Sequence, residues 1–187
     1  MRPSSDPASI AGDPGLVACG ARHAAAIQEI FNDAILHSTA LYDYAPRPRA
    51  AVEAWIEAKR QGNHPLLGIE GDDGALVGFA SYGPFRAFPA YKYTVEHSVY
   101  VERARRGQGI GKRLLRGLIA AAQGPGQEYH TLVGAIDSAN AASVRLHEGL
   151  GFERCGRLRQ AGFKFGRWLD LDFYQLLLPT PERPADG

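Results

Sequence analysis

A glycine-rich turn between a strand-like segment and a helix-like segment is the feature that most constrains the fold of this chain. The turn reads Arg105-Arg106-Gly107-Gln108-Gly109-Ile110-Gly111-Lys112. Polar and apolar residues largely alternate over Thr94–Val101 before it, and apolar residues recur at helical spacing over Ile110–Ala122 after it. Such a turn leaves backbone N–H groups unpaired at a helix N-terminus, where the helix dipole adds about half a positive charge. The sequence therefore predicts a strand–turn–helix unit that binds an anion at the turn.

The spacing of the glycines excludes two better-known phosphate-binding loops. A Walker loop requires Gly five residues before its Gly-Lys pair and Ser or Thr after that pair, but Arg106 and Arg113 occupy these positions. A dinucleotide fingerprint requires Gly at its sixth place, which Lys112 fills when the count starts at Gly107. The pattern that remains is Arg106-x-x-Gly109-x-Gly111, directly after a strand.

Strand and helix patterns alternate along the rest of the chain. We expect strands at Leu16–Cys19, Leu66–Glu70, Leu76–Tyr82, Thr94–Val101, Tyr129–Asp137, Phe152–Arg159 and Trp168–Leu178. We expect helices at Ala21–His37, Arg49–Gln61, Ile110–Ala122 and Asn140–Leu150. This order predicts a mixed α/β sheet of about seven strands with about four helices distributed over both of its faces.

Length and charge limit the domain count and the class of protein. The chain has 187 residues, which is typical of one domain. We assign residues 15–178 to that domain, residues 1–14 to a loose N-terminal tail and residues 179–187 to a proline-rich C-terminal tail. The 21 Lys and Arg residues nearly balance the 20 Asp and Glu residues, and a net charge of +1 argues against a dedicated nucleic-acid-binding protein.

Composition also predicts a soluble protein of the cytoplasm that needs no metal ion. The N-terminal residues lack the apolar stretch of a secretory signal, and no apolar run approaches the ~18 residues that span a bilayer. Cys19 and Cys155 do not make a disulfide scaffold in a chain of this length, and we expect both to be buried thiols. The histidines at positions 23, 37, 64 and 130 show no metal-ligand spacing.

One carboxylate interrupts the strand before the turn. Glu96 lies in a run rich in β-branched residues, where a charged side chain is costly unless it is paired or used. A solvated position on an edge strand is one explanation. The other is catalysis, in which Glu96 acts as a general base and takes a proton from an attacking amine, directly or through water.

An aromatic segment, Tyr82–Tyr93, connects two predicted strands. Loops usually run over the surface and carry function, so we expect this segment to form a pocket wall, a dimer contact or both. Its only full charges are Arg86 and Lys92, and no acid follows until Glu96. A cationic edge beside a base suits an acceptor that carries a carboxylate, such as an amino acid, whereas a polyamine would require carboxylates.

Four motifs together resemble one enzyme family. They are Phe85-Arg-Ala-Phe-Pro-Ala-Tyr91, Tyr93-Thr-Val-Glu-His-Ser-Val-Tyr-Val101, Gly107-Gln-Gly-Ile-Gly-Lys112 and Ser143-Val-Arg-Leu-His-Glu148. Across residues 16–178 the chain is similar to the phosphinothricin and methionine sulfone/sulfoximine group of the Gcn5-related N-acetyltransferases. The resemblance implies a mixed, mostly antiparallel central sheet, acetyl-CoA as co-substrate, a small α-amino acid analogue as acceptor, and a homodimer.

The resemblance also implies roles for individual residues. The pyrophosphate of acetyl-CoA would lie at Arg106, Gly107, Gln108, Gly109, Ile110, Gly111 and Lys112. The backbone of Val99, Tyr100 and Val101 would pair with the pantetheine arm, and Asn140 would contact the same arm. The acceptor would lie among Arg86, Ala87, Phe88, Glu96, His97 and Ser98. His147 stands where the broad family often carries a Tyr general acid, and its role as acid, hydrogen-bond donor or packing group stays open.

Three other functions remain as alternatives. The first is acetyl transfer to another small amine. The second is a non-catalytic acyl-CoA sensor on the same fold, against which Glu96 counts as a candidate base. The third is a nucleic-acid-binding module that uses the basic residues of 103–116, against which the near-zero net charge counts.

Overall fold

The strand–turn–helix unit lies in the middle of a seven-stranded sheet. A computed structural model describes residues 13–186, so most of the predicted N-terminal tail lies outside the described residues. The first half of the chain forms β1 (Val17–Ala18), α1 (Ala24–His37), α2 (Arg49–Gln61), β2 (Leu66–Glu70) and β3 (Leu76–Pro84). The second half forms β4 (Thr94–Val101), α3 (Ile110–Ala122), β5 (Thr131–Asp137), α4 (Ala141–Glu148), β6 (Glu153–Lys164) and β7 (Arg167–Leu177).

The sheet has the strand order β1-β2-β3-β4-β5-β7-β6. All neighbouring strands are antiparallel except β4 and β5, which run parallel. This mixed, mostly antiparallel sheet with four α-helices confirms the predicted fold class. The order of strands and helices along the chain is also the predicted one.

The parallel ladder between β4 and β5 is short. It pairs Thr94, Val95 and Glu96 with residues 131–133 and then ends. Beyond this point β5 continues to pair with β7, and β4 continues to pair with β3 on its other side. Within the described part of the chain, the edge of β4 from His97 to Val101 therefore has no strand partner on the β5 side.

Two hydrophobic clusters cover opposite faces of the sheet. Leu66 and Leu67, which are consecutive on β2 and so point to opposite faces, belong to different clusters. The first cluster packs against α3, and the second packs against α1 and α2. Phe31 of α1 is 2% exposed and contacts Phe79 edge-on, at 4.9 Å between ring centroids. Burial of a side chain of this size contributes about 1.5–3 kcal/mol.

Some predicted boundaries and environments are wrong. Tyr82 is not part of a surface connector, because it lies in β3 with no exposed area. The helix α4 ends at Glu148 before Gly149, not at Leu150. The hairpin of β6 and β7 is longer than predicted because its turn lies at Phe165 and Gly166, which both adopt positive φ angles.

The cysteines differ from each other in environment. Cys155 is exposed on the edge strand β6, so the expectation that both thiols are buried is wrong. Cys19 is partly buried, and burial raises its pKa to about 12. Both are free thiols.

Both terminal segments contact the domain where the structure describes them. Asp13 accepts two hydrogen bonds from the guanidinium of Arg113, each at 2.9 Å. Thr180 Oγ1 donates to Tyr129 O at 2.7 Å. The division into one domain and two tails stays a prediction. None of the helices in residues 13–186 is long and apolar enough to cross a membrane.

Candidate active site

The glycine-rich turn ends at the N-terminus of α3 in the conformation that the anion-binding prediction requires. Gly107 and Gly109 have φ angles of +79° and +80°, which side chains other than glycine rarely adopt. A Cβ built on either residue would meet none of the described atoms within 4 Å. Gly109 is the N-cap of α3 and has no side chain to accept hydrogen bonds from the first turn. Backbone N–H groups of this helix end are therefore available to an anion.

Arg106 connects the turn to two other elements. Its Nε donates to Val101 O at 3.2 Å, at the end of β4. Its guanidinium also lies 3.5 Å from Asp33 of α1. The side chain is 46% exposed, so these contacts fix its place at the mouth of the turn without burying its charge.

A cleft of about 790 Å³ begins at the turn and continues along the unpaired edge of β4. Predicted site residues that line it are Glu96, His97, Ser98, Val99, Tyr100, Val101, Arg106, Gly107, Gly109, Ile110, Gly111, Asn140 and His147. Predicted site residues that do not line it are Arg86, Ala87, Phe88, Gln108 and Lys112. The structure thus brings the candidate base, the turn and the motif of α4 into one space.

Glu96 is half-buried at the last residue pair of the parallel ladder. Burial raises the pKa of its carboxyl group, because the charged form loses water, and the nearby positive charge of Arg86 opposes that rise. A carboxyl group with a raised pKa holds a proton more strongly than a free glutamate. This property suits a residue that has to accept a proton near neutral pH.

His97 and His147 form a buried pair next to Glu96. Their Nε2 atoms are 2.9 Å apart, and the residues are 6% and 4% exposed. His147 Nδ1 lies 2.7 Å from Ser143 O, which can only accept, so Nδ1 donates and Nε2 accepts a hydrogen bond from His97. Burial lowers the pKa of both imidazoles, which keeps the pair neutral.

The histidine pair fills the space that the end of the ladder leaves. A Cβ on Gly134 of β5 would lie 3.0 Å from His97 and 3.2 Å from His147, so a larger residue there would displace the rings. Both ring nitrogens of His147 are engaged within the protein in this arrangement. The geometry therefore favours packing or positioning among the roles that the sequence left open for His147.

Asn140 begins α4 at the side of the cleft. Its Oδ1 accepts a hydrogen bond from Ser143 N at 3.1 Å, which makes it the N-cap of the helix. This contact uses the oxygen of the side-chain amide and orients its nitrogen relative to α4. The contact of Asn140 with the cofactor arm, which the resemblance implies, stays a prediction, and the capping role was not predicted.

Arg86 lies outside the cleft on an exposed loop. Its guanidinium stacks on the ring of Phe85 at 4.2 Å, and Nη1 donates to Phe85 O at 3.0 Å. Phe88 is 73% exposed on the same loop, and Tyr91 is 42% exposed. Within one chain, Arg86 influences the charge of Glu96 without lining the cleft.

The comparison with protein families decides the assignment. The sequence profile described as "Acetyltransferase (GNAT) family" matches residues 27–152, which is more than half of the chain. The chain belongs to this acetyltransferase family. The predicted class of acyl-CoA-dependent N-acetyltransferase is thereby confirmed, together with the resemblance on which it rested.

Relatives of this acetyltransferase include enzymes of the predicted group. It is 43% identical over 185 residues to an L-methionine sulfoximine/L-methionine sulfone acetyltransferase of Pseudomonas paraeruginosa, covering 98% of this chain and 100% of the relative. It is 36% identical over 165 residues to a phosphinothricin N-acetyltransferase of Streptomyces viridochromogenes, covering 86% and 87%. Its fold matches a phosphinothricin acetyltransferase of Sinorhizobium meliloti in complex with acetyl-CoA, with a TM-score of 0.86, 32% identity and coverage of 92% and 93%.

Several residues that line or adjoin the cleft of this acetyltransferase were missed by sequence reasoning. The segment 38–42 between α1 and α2 lines the cleft, as do Asp137, Phe165 and Arg167. Asp137 is the last residue of the mostly buried strand β5, and a carboxylate at a strand end was a sequence feature that could have identified it. Nothing local marks the segment 38–42, because its neighbours come from the far end of the chain.

The described residues provide no group for a metal ion. Among residues 13–186, no cluster of three His, Cys, Asp or Glu side chains could hold one.

Proposed function

We propose that this acetyltransferase moves the acetyl group of acetyl-CoA to the α-amine of a small amino acid analogue of the methionine sulfone, methionine sulfoximine or phosphinothricin type. One observation carries the proposal. The unpaired edge of β4 begins directly after Glu96 and leads to the glycine-rich turn, and all three line a single cleft. A phosphate site, a strand edge and a candidate base are therefore aligned along one strand. The names of the relatives support the acceptor class.

The donor half of the cleft fits acetyl-CoA through backbone groups. The N–H groups at the start of α3 suit the pyrophosphate, and the space beside Gly107 and Gly109 allows it to approach the backbone. The edge of β4 at Val99–Val101 suits the amides of the pantetheine arm, which would add to the sheet as a further strand. Acetyl-CoA supplies the reactive thioester carbonyl. The residues of this chain bind and orient it.

Glu96 is the proposed general base. An α-amine is protonated near neutral pH and must lose a proton before its nitrogen can attack a carbonyl carbon. Glu96 would accept that proton directly or through one water molecule. Because it acts as a base only when ionised, the rate should fall as pH falls through its raised pKa.

A homodimer completes the proposal. The predicted acceptor residues Arg86, Ala87 and Phe88 lie outside the cleft of one chain, and their loop exposes Phe88 and Tyr91. Apolar side chains exposed on one loop are typical of a protein–protein contact. We propose that this loop contacts a second copy, and that Arg86 binds the carboxylate of the acceptor at that contact.

A turnover screen tests the proposed function. Purified protein and acetyl-CoA would be incubated with methionine sulfone, methionine sulfoximine, phosphinothricin, the standard amino acids and a polyamine, and thiol release would be followed. We expect turnover of the three analogues and little turnover of the polyamine. Acetyl-CoA binding by calorimetry without turnover of any amine would instead support the sensor, and preference for the polyamine would overturn the acceptor class.

A further inference from the structure

Lys164 is a buried lysine beside the cleft, at the last position of β6. The residue is 4% exposed, and its Nζ donates to Ser38 O at 2.9 Å and to Leu41 O at 2.6 Å. Nζ also lies 5.0 Å from the centre of the Phe165 ring. The lysine therefore holds the backbone of the segment between α1 and α2 against the hairpin of β6 and β7.

Burial of the ammonium group of Lys164 costs the free energy of its hydration, so the contacts that replace water have to account for its presence. Burial lowers the pKa of Lys164, and only the negative charge of Asp43 acts against that shift. A methionine of similar length would fill the space without losing the hydration of a charge. What methionine lacks is the ability to bind two carbonyl groups of a segment that belongs to no helix or strand.

Further contacts join the same two parts of the chain. Tyr44 Oη donates to Phe163 O at 2.6 Å, next to Lys164. The ring of Tyr42 packs on Gly162, where a Cβ would come within 2.7 Å of a ring carbon. Thr39 Oγ1 donates to the buried carboxylate of Asp137 at the end of β5. Together with the contacts of Lys164, these contacts involve five residues between α1 and α2: Ser38, Thr39, Leu41, Tyr42 and Tyr44.

The fixed segment forms a wall of the cleft. Ser38–Tyr42 line the cleft together with Phe165 and Arg167, and we call these residues the outer wall. None of the outer-wall residues belongs to the glycine-rich turn or to the free edge of β4, which line the same cleft. If the donor occupies the turn and that edge, as the proposed function requires, the outer wall faces the space left for the acceptor.

We infer that Lys164 is a positioning residue for the acceptor: by holding the carbonyls of Ser38 and Leu41, it sets the place of the outer wall and thereby the affinity and selectivity for the amine substrate. This inference rests on the proposed function for its kinetic consequence. The contact between Lys164 and the segment does not depend on which amine is acetylated.

The main test compares Lys164→Met with Lys59→Met. Lys59 is a matched control because its half-buried Nζ also donates to a backbone carbonyl, Tyr82 O at 2.8 Å, away from this cleft. Lys164→Met should raise the KM for methionine sulfone at least about tenfold, as expected for loss of charge-assisted hydrogen bonds that order a binding wall. The Kd for acetyl-CoA, measured by calorimetry, should change less than about twofold. Lys59→Met should leave both values unchanged.

A second variant keeps the test valid if Lys164→Met does not fold. Tyr44→Phe removes only the hydroxyl contact with Phe163 O from an exposed residue, and it should raise the acceptor KM in the same direction by a smaller factor. Hydrogen–deuterium exchange of the amides of residues 38–42 should increase in both variants. This readout needs no turnover, so it separates the contact from the proposed function.

Two results would overturn the inference. One is unchanged amide exchange in residues 38–42 of folded Lys164→Met protein. The other is a Lys164→Met protein in which amide exchange has increased but the affinities for acceptor and acetyl-CoA fall equally or do not change. If the wild-type protein acetylates none of the amino acid analogues, the proposed function fails, and the KM comparison is made with the amine that the screen identifies.

Discussion

Burial would give Glu96, the proposed general base, opposite effects on activity and on stability. The raised pKa brings the carboxyl group closer to the working range of a base, but its charged form is less favourable in the folded protein than in water. For a carboxyl group whose folded pKa lies above its unfolded pKa, stability is lower at high pH and recovers as pH falls through the folded pKa. The proposed role as a base and the stability of the fold therefore favour different pKa values of Glu96.

We predict that Glu96→Gln lowers kcat by about 10²–10⁴-fold near neutral pH, because the amide group of Gln has nearly the same shape as the carboxylate but cannot accept the proton. The same change should not lower the free energy of unfolding at neutral pH, since it removes a half-buried charge, and any gain should disappear in acid. Kinetics across pH and denaturant unfolding at two pH values measure both effects. Glu102→Gln is the control, because Glu102 directly follows β4 and its carboxylate, on a side chain that is 48% exposed, lies 3.9 Å from the guanidinium of Arg105. Wild-type kcat at every pH would place the base elsewhere.

A second prediction at the residue scale concerns Arg86 and has two independent readouts. Arg86→Ala should raise the acceptor KM about tenfold with little change for acetyl-CoA, if the guanidinium binds the carboxylate of the acceptor. It should also move the acid limb of the kcat profile to higher pH, because Arg86 opposes the rise in the pKa of Glu96. The KM comparison is repeated with an acceptor whose carboxylate is converted to an amide. An equal penalty for acid and amide would exclude a carboxylate contact.

At the scale of elements, the proposed anion site belongs to the junction of β4 and α3 and to no single side chain. It depends on a turn that reverses direction with positive φ angles and exposes the first N–H groups of a helix. Side chains contribute mainly through Arg106, which fixes the turn to the end of β4. A test of the site therefore has to change the backbone environment.

We predict that Gly109→Ala weakens acetyl-CoA binding, whereas Gly74→Ala does not. The two glycines have φ angles of +80° and +76°, and a Cβ on either would meet no described atom within 4 Å. Both substitutions should therefore cost a similar 1–2 kcal/mol, about the penalty for a left-handed residue with a side chain. Only at Gly109 would the new methyl group occupy the approach to the helix N-terminus. Calorimetry measures the Kd for acetyl-CoA of each folded variant. Equal Kd values for the two variants would show that the pyrophosphate does not bind at this turn.

At the scale of the whole molecule, a single chain does not place Glu96 and Arg86, which would both contact the acceptor, in the same cleft. Glu96 lines the cleft and Arg86 lies on an exposed loop beside Phe88 and Tyr91. Other exposed aromatic residues, including Trp168 at 59%, lie on the hairpin of β6 and β7. We propose that two copies assemble through the loop of residues 85–93, which contains Phe88, and that the second chain then lies at the acceptor side of the cleft.

We predict a homodimer that Phe88→Asp converts to monomer with a higher acceptor KM. A charge in a buried apolar contact is strongly unfavourable, so the dimer should dissociate at micromolar protein concentration. Sedimentation equilibrium measures the mass, and the same samples give the acceptor KM. Trp168→Asp is the control and should remain dimeric. A Trp168→Asp monomer beside a dimeric Phe88→Asp protein would place the interface on the hairpin.

The sequence by itself determined the elements whose cause is local. Periodicity fixed α2, α3, β2 and β4 to the predicted residues, because alternation at period two or 3.6 depends only on neighbours along the chain. Glycine spacing identified the turn before α3 for the same reason. The motifs also identified the family, and Glu96 could be selected as a candidate because a charged side chain is unusual in a strand rich in β-branched residues.

Only the tertiary structure decided which distant residues meet. His97 and His147 are 50 positions apart, and Lys164 contacts Ser38 across 126 positions, so no local pattern connects either pair. The burial of Tyr82 did not follow from the local pattern, since it involves contacts with residues distant in sequence such as Tyr129. The placement of Arg86 outside the cleft also follows from the path of a loop. Contacts of this kind depend on how sheet and helices pack, and the energies involved are those of burial and pairing between segments remote in sequence.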